Sequence, residues 1–330
     1  MLACPRAARA TPRARRRRKP SVLRAPPSPQ ADRPATPRSG RGSAYDQAVL
    51  DTVALGDGRR VVLGDKTSGG SKNHTRFGVL NEARVVVKIQ ANHGRLRNEH
   101  AALRFAGSHE LPCPRVVASG TTDDGAFFLV LSREEGHRTT TPQGWGRLGF
   151  DVAKLASTPT VDCELARTEP QTFADDHLER LSAVAPLLDR GHQDEIARAI
   201  DHIGRSSSLA LTHGDPGSGN YLDYPDGGTI LDWETAHVAS FGLDAGRAAF
   251  IALLDLTRTG IARELHAGFV EGYRSNLANT TMRLDDETLH AATLAAALQF
   301  IHGRQTRPLR ADRTAQQAVA TMSDYLRRTT

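Results

Sequence analysis

The chain has 330 residues, enough to bury a substantial core in one large domain or in two lobes. Its 43 Lys and Arg residues outnumber its 37 Asp and Glu residues, and its formal net charge is +6. Three cysteines, Cys4, Cys113 and Cys163, are too few and too far apart for a disulfide framework or a CxxC metal site. No apolar run has the length of a membrane span, so we expect a cytoplasmic protein without a membrane partner.

The positive charge is concentrated at the N-terminus. Residues 1–43 hold 12 Lys and Arg, one acidic residue and eight prolines, which leaves 31 basic and 36 acidic residues in the rest of the chain. Such a segment cannot bury enough apolar surface to offset the entropy lost on ordering, so residues 1–43 are predicted to be disordered. Because the remainder is mildly acidic, a nucleic-acid partner is disfavoured and the tail is interpreted as a dispensable extension.

Three short apolar runs, 61–63, 77–80 and 85–89, predict strands of an antiparallel sheet. The first two are joined by a loop rich in Gly and Ser. Such a loop can lay backbone N–H groups over phosphates, although a merely flexible turn fits the same composition. The candidate phosphate-binding residues in this loop are Ser68, Gly69, Gly70 and Ser71.

A lysine and a glutamate in consecutive predicted elements form a candidate ion pair. Lys88 lies on one face of the strand 85–89, and Glu99 lies in the apolar stripe of the predicted helix 93–106. A carboxylate that packs inward needs a cation, because leaving it unpaired costs several kcal/mol. Lys88 is the nearest partner along the chain. A purely structural ion pair is the alternative interpretation.

The stretch 209–234 contains the strongest functional signal. Asn220 follows Asp215 by five residues, the spacing of a phosphoryl-transfer loop in which the Asp takes the hydroxyl proton and the Asn oxygen helps to hold Mg²⁺. The segments 221–224 and 229–231 flank a Pro-Asp-Gly-Gly sequence and predict a β-hairpin. The hairpin would return Asp232 to the neighbourhood of Asn220, where two side-chain oxygens suit a hard cation. Each residue alone would be an ordinary turn residue.

These motifs together resemble the aminoglycoside phosphotransferase and choline kinase family, the small-molecule branch of the protein-kinase-like fold. The resemblance extends from Val61 to the C-terminus and is strongest in HGDPGSGN (213–220) and ILDWE (230–234). It implies an α+β, two-lobed fold. The N-lobe, 44–132, would contain an antiparallel sheet with one helix, and the C-lobe, 133–330, would be larger and mainly helical.

The resemblance also implies a role for each candidate residue. Asp215 would be the catalytic base, and Asn220 and Asp232 would be the Mg²⁺ ligands. Lys88 would position the phosphates of ATP or GTP, with Glu99 as its partner. Further implied positions are the hinge Ser132–Gly136, a structural histidine at His213 and a structural carboxylate at Asp244, ahead of a helix predicted over Gly246–Arg258.

The predicted activity is transfer of phosphate to a hydroxyl group of a small molecule, with an aminoglycoside-like antibiotic favoured as acceptor and resistance as the consequence. A metabolic kinase of choline, homoserine or a sugar is the alternative, followed by a non-catalytic nucleotide-binding regulator. Acidic residues on the C-terminal helices are candidates for binding a cationic acceptor: Asp255, Glu264, Glu271, Asp285, Asp286 and Glu287. An anionic acceptor would instead be indicated by His302, Arg304 and Arg307.

Overall fold

A computed structural model describes residues 52–66, 74–91, 94–254, 260–305 and 311–329. The predicted disordered tail 1–43 and the candidate loop residues Ser68, Gly69, Gly70 and Ser71 lie outside this part of the chain. The strands are β1 (Thr52–Ala54), β2 (Arg60–Lys66), β3 (His74–Leu80), β4 (Ala83–Gln90), β5 (Val116–Thr121), β6 (Phe127–Ser132), β7 (His137–Arg138), β8 (Leu209–Thr212), β9 (Tyr221–Tyr224), β10 (Gly227–Ile230) and β11 (His237–Ser240). The helices are α1 (Gly94–Ser108), α2 (Pro142–Ala156), α3 (Pro170–Val184), α4 (Arg190–Gly204), α5 (Leu243–Leu253), α6 (Ala262–Leu277), α7 (Asp286–Gln305) and α8 (Ala311–Thr329).

The first half of the fold is a six-stranded antiparallel sheet with the order β1-β2-β3-β4-β6-β5. The β3–β4 link is a two-residue turn in which Asn81 and Glu82 both have positive φ, 48° and 68°, as the twist of a tight hairpin requires. Helix α1 follows β4 and buries its predicted stripe, including Leu96 and Glu99. The predicted fold class, an antiparallel sheet with one helix followed by a mainly helical region, is confirmed.

The helical region has two apolar clusters. One cluster joins α1 and β6 to α2, α5 and α6, so the sheet and the helices share a core around Trp145 and Trp233. The other cluster lies among α3, α4, α7 and α8. No described helix has both the length and the apolarity needed to cross a membrane.

Element boundaries differ from the prediction at two places that bear on the site. Strand β10 begins at Gly227, which pairs with Tyr224, so the hairpin turn has only the two residues Pro225 and Asp226. Because pairing starts at Gly227 rather than Thr229, the hairpin has two more residue pairs than predicted and a shorter connecting turn. Helix α5 begins at Leu243 rather than Gly246, which puts Asp244 in its first turn. The division between the two predicted lobes at residue 132 stays a prediction.

Candidate active site

Lys88 on β4 forms ion pairs with two carboxylates. Its Nζ lies 2.7 and 2.9 Å from the two oxygens of Glu99 on α1, and 2.8 Å from Oδ1 of Asp232. Burial acts to lower the pKa of Lys88, but the two carboxylates outweigh it and raise the pKa above its ordinary value. The ammonium therefore stays charged, with Glu99 only 1% exposed on one side and Asp232 44% exposed on the other.

Asp215 and Asn220 contact each other across the loop that follows β8. The Asn220 amide nitrogen donates to the backbone oxygen of Asp215 at 3.0 Å and to its Oδ2 at 3.2 Å. Because the nitrogen is engaged in this way, the amide oxygen of Asn220 faces away from Asp215 and is available as an acceptor.

His213 and Asp244 hold the start of this loop. The Asp244 carboxylate, 5% exposed, accepts hydrogen bonds from the backbone N–H groups of His213 at 2.6 Å and Gly214 at 2.9 Å. Burial lowers the pKa of His213, so the ring is neutral: Nε2 donates to Leu231 O at 2.9 Å and Nδ1 accepts from Asp215 N. Both residues act on the loop through backbone groups.

The hairpin β9–β10 is held by two side-chain contacts with helix α2. Arg147 of α2 makes a two-pronged ion pair with Asp223 at 2.6 and 2.7 Å, and the Tyr221 hydroxyl donates to Asp151 at 2.6 Å. Burial raises the pKa of Asp151 to about 6. At the base of the hairpin, Leu231 N donates to Asn220 O at 2.8 Å, which brings the two arms together.

The structure brings Lys88, Glu99, Asp215, Asn220 and Asp232 to one cleft of about 760 Å³, within the range of ligand pockets. Part of the cleft lining is an apolar slot, whose side chains can pack against a flat ring. The slot is lined by Phe77, Val86, Pro114, Leu131 and Leu231, beside the predicted hinge Ser132–Gly136.

The side-chain oxygens of Asn220 and Asp232, at the two ends of the hairpin, fit a divalent cation that keeps several non-protein ligands. Asp232 uses one oxygen on Lys88, and the Asn220 amide oxygen is oriented away from Asp215. The described residues contain no group of three or more His, Cys, Asp or Glu side chains that could hold a metal ion. An ion here would therefore need oxygens from a ligand or from water, as Mg²⁺ commonly has in phosphate sites.

Two contacts of the site were not predicted. Arg247, in the first half of α5, donates from Nη2 and Nε to Oδ1 of Asp215 at 2.6 and 3.0 Å. Asn98 of α1 donates to the backbone oxygens of Glu234 and Ala236 at 3.1 and 2.9 Å. Neither residue stands in a local motif. Arg247 could have been found only from the spacing of three between it and Asp244, which puts both on one face of a helix.

None of the described acidic candidates on the C-terminal helices lines the cleft. Asp285 accepts a hydrogen bond from Thr288 N at the start of α7, Asp286 pairs with Arg274, and Glu287 lies 3.1 Å from His202. Glu264 and Glu271 are exposed, while Asp255 and Arg307 lie outside the described residues. Arg304 stacks over the ring of Phe300. The acceptor-binding residues must therefore be sought elsewhere.

Comparison with known proteins identifies the family. Residues 66–283, more than half of the chain, match the model of the phosphotransferase enzyme family, APH. The chain belongs to this family and is therefore a phosphotransferase that phosphorylates hydroxyl groups of small molecules. No curated protein sequence matches it.

Solved structures show the same fold at low sequence identity. A candidate aminoglycoside phosphotransferase from Ralstonia eutropha has a TM-score of 0.60 and 14% identity, over 80% of this chain and 89% of that one. A thermostable mutant of aminoglycoside phosphotransferase APH(4)-Ia, in ternary complex with AMP-PNP and hygromycin B, gives 0.58 and 16%, over 81% and 95%. An amicoumacin kinase in complex with AMP-PNP, Ca²⁺ and its substrate gives 0.54 and 15%, over 82% and 88%.

Proposed function

We propose that the chain transfers the γ-phosphoryl group of ATP to a hydroxyl group of a small molecule, with Asp215 as the catalytic base. The observation that carries the proposal is the convergence of Lys88, Asp215, Asn220 and Asp232 on one cleft beside an apolar slot. These residues come from two distant parts of the sequence, and their meeting is what phosphoryl transfer needs: a proton acceptor, oxygen donors and a fixed cation.

Each residue has a defined task in the transfer. The acceptor oxygen attacks the γ-phosphorus, the bond to the β–γ bridging oxygen breaks with its electron pair leaving on ADP, and the hydroxyl proton passes to Asp215. Lys88, already held by Glu99, binds the α and β phosphates. Mg²⁺ on Asn220 and Asp232 would neutralise charge on the β and γ phosphates. The protein contributes positioning and electrostatic stabilisation, and no covalent intermediate is required.

ATP is the favoured donor, with GTP as the alternative. The apolar slot formed by Phe77, Val86 and Leu131 suits a purine, and the predicted hinge Ser132–Gly136 lines the same cleft. Two of the similar structures contain the ATP analogue AMP-PNP, and one contains Ca²⁺, which supports a nucleotide donor and a divalent ion.

An antibiotic is the acceptor class that the similar proteins support, because hygromycin B and amicoumacin are bound in two of them. Modification of such a compound would confer resistance. A metabolic hydroxyl compound is the alternative acceptor. Cells expressing the chain, grown with a panel of antibiotics, distinguish the two: protection that Asp232→Ala abolishes supports the antibiotic acceptor.

The test of the catalytic assignment is Asp215→Asn. The amide keeps the shape of the side chain but cannot accept the hydroxyl proton, so we expect kcat to fall by about 10²–10⁴-fold. AMP-PNP affinity, measured by calorimetry in the presence of Mg²⁺, should stay within about threefold of wild type, because Asp215 binds no part of the nucleotide in this proposal.

Asp226→Asn is the matched control, since Asp226 lies at the exposed turn of the same hairpin. It should leave both kcat and AMP-PNP affinity unchanged. Wild-type turnover in Asp215→Asn would reject the base assignment. Absence of AMP-PNP binding by the wild-type chain would instead support a function other than nucleotide-dependent transfer.

A further inference from the structure

A second cavity of about 160 Å³ lies directly behind the catalytic loop. It lies between α3, α5 and α7, and Thr212 and Gly214 line it on the side of the loop. Small alanines of α7, among them Ala292 and Ala296, make its apolar floor. The polar side chains on its wall include two arginines, Arg180 of α3 and Arg247 of α5. The cavity has room for a small charged group.

Arg180 contacts a buried histidine. Its Nη1 lies 3.1 Å from Nε2 of His177, a ring that is 3% exposed. Burial lowers the pKa of His177 to about 4, and the nearby Arg180 guanidinium acts in the same direction. The ring is therefore neutral at physiological pH. Its Nδ1 donates to Phe173 O at 2.9 Å, which leaves Nε2 as an acceptor for Arg180.

No carboxylate neutralises Arg180 within the described part of the chain. Asp176, an acidic residue on the cavity wall, is exposed, and the described ion pairs do not include one between it and Arg180. The other carboxylate on the wall, Asp244, is used by the backbone N–H groups of the loop. A half-buried guanidinium without a carboxylate partner favours an anionic ligand.

Arg247 connects the cavity with the reacting groups. Its guanidinium donates to Oδ1 of Asp215, and the same side chain lines the cavity. A group bound in the cavity therefore lies within the length of one arginine side chain from the proposed base. Arg247 is thus the residue that the cavity and the proposed base share.

We propose that this cavity binds an oxyanionic group of the acceptor, a carboxylate or a phosphate, between Arg180 and Arg247. The inference rests on the proposed function and narrows its acceptor to hydroxyl compounds that carry such a group. A polycationic aminoglycoside would meet the Arg180 guanidinium, which has no carboxylate within ion-pair distance among the described residues, so it fits this part of the cavity poorly. Arg180 is a specificity residue, and its neutral neighbour His177 orients it.

Thermal unfolding of the full chain tests the site with simple anions as probes. The protein is first saturated with AMP-PNP and Mg²⁺, so that the phosphate-binding end of the main cleft is occupied. Inorganic phosphate and malonate are then added in separate series at constant ionic strength, with chloride as the reference. We expect at least one of the two probes to raise Tm of the wild-type protein, because a ligand that binds only the folded state stabilises it.

Two variants identify the residue responsible. Arg180→Gln removes the charge and should abolish the Tm increase, whereas Arg198→Gln, on the exposed side of α4, should keep it. A response to malonate alone would assign the site to carboxylates, and a response to phosphate alone would assign it to phosphates. Equal responses in wild type and Arg180→Gln, or no response in wild type, would overturn the proposal.

A kinetic measurement separates this inference from the proposed function. Glycerate, glycerol 3-phosphate, glycerol and kanamycin are compared as acceptors by ADP release. Transfer to the anionic compounds, with a KM that Arg180→Gln raises about tenfold at nearly constant kcat, would support the site. Transfer that prefers glycerol or kanamycin would overturn the site and leave the phosphotransferase proposal intact. A Tm increase caused by AMP-PNP and Mg²⁺, absent in Lys88→Met, tests nucleotide binding independently of any acceptor.

Discussion

Lys88 is bound by two carboxylates that differ in exposure and in freedom. Glu99 is almost completely buried and can turn nowhere else, whereas Asp232 is partly exposed on the far side of the cleft. The arrangement gives the lysine one permanent partner and one that can be exchanged. In the proposed reaction, a nucleotide phosphate would bind the Lys88 ammonium in place of Asp232, and Asp232 would then bind the divalent cation.

Replacing this lysine has a stability effect whose pH dependence follows from Glu99. Lys88→Met leaves the Glu99 carboxylate buried without its ammonium, and we expect the free energy of unfolding at pH 8 to fall by about 3 kcal/mol. Burial raises the pKa of Glu99 above its ordinary value. The charged form is therefore the costly one, and the loss should shrink as the pH falls and the carboxyl is protonated.

Urea unfolding of wild type and variant at pH 8 and pH 5 measures this difference. Lys154→Met is the matched control, because the hydrogen bond of the Lys154 ammonium in the described part of the chain goes to a backbone oxygen, that of Glu110, in an exposed contact. The control should change stability by no more than about 0.5 kcal/mol at either pH. An equal loss for Lys88→Met at both pH values would show that Glu99 does not carry a buried charge.

At the scale of single residues, the sequence predicts those site residues that lie in local patterns. Glu99 could be placed inward because it shares a helical stripe with Leu96, and Lys88 then follows as its nearest cation. Arg247 and Arg180 could not be found in this way. The partner of Arg247, Asp215, lies 32 residues away in another part of the fold. Arg180 and His177 are three residues apart on α3, but only the packing of α3, α5 and α7 places them at the second cavity.

At the scale of elements, α2 and α6 pack closely enough that their backbones nearly touch. A Cβ on Gly272 would lie 1.9 Å from Gly146 O, and one on Gly149 would lie 2.1 Å from Phe269 O. Glycine is therefore required at these crossing points. Helix α2 also carries Arg147 and Asp151, which hold the hairpin. The position of the hairpin thus depends on how closely the two helices approach.

Gly272→Ala should separate the two helices. We expect it to lower the free energy of unfolding by about 2–3 kcal/mol, since an added methyl group in a filled contact forces the backbone to move. It should also lower kcat, because displacement of α2 shifts the hairpin. Urea unfolding and steady-state kinetics measure the two effects.

Gly303→Ala provides the matched control. Gly303 lies in α7, and a Cβ there would meet no atom of the described residues within 4 Å. Alanine has the higher helix propensity, so this variant should be neutral or more stable by up to about 1 kcal/mol. Equal destabilisation by the two substitutions would mean that close approach of α2 and α6 is not the cause.

The elements themselves were predicted unevenly. The hairpin β9–β10 is local, and its turn residues mark it in the sequence. Strands β1 and β7 have only three and two residues, and β7 gains its partner from β9, far along the chain. Such short strands carry no periodicity, and only the tertiary fold makes them pair. The glycine contacts between α2 and α6 could not be predicted from the sequence either, because a glycine in a helical segment gives no information about the surface that it will pack against.

At the scale of the whole molecule, charge is divided along the chain. Residues 1–43 carry 12 basic residues and one acidic residue, whereas the remainder has 31 basic and 36 acidic residues. The residues that we propose to bind nucleotide, cation and acceptor all belong to this acidic remainder, between Phe77 and Arg247. The prediction that the basic segment is dispensable for catalysis can therefore be tested by removing it.

A variant that lacks residues 1–43 should keep the kcat and KM of the full chain, because it retains every residue assigned to the reaction. Its net charge changes from +6 to −5, since 12 basic residues and one acidic residue are lost. It should therefore elute earlier from a cation-exchange column, and any salt-dependent retention on nucleic acid should disappear with the segment. Kinetics and chromatography of the same two preparations test the two statements separately. A lower kcat at unchanged Tm would give the basic segment a part in catalysis, and retention of nucleic-acid binding after truncation would assign that binding to the acidic remainder.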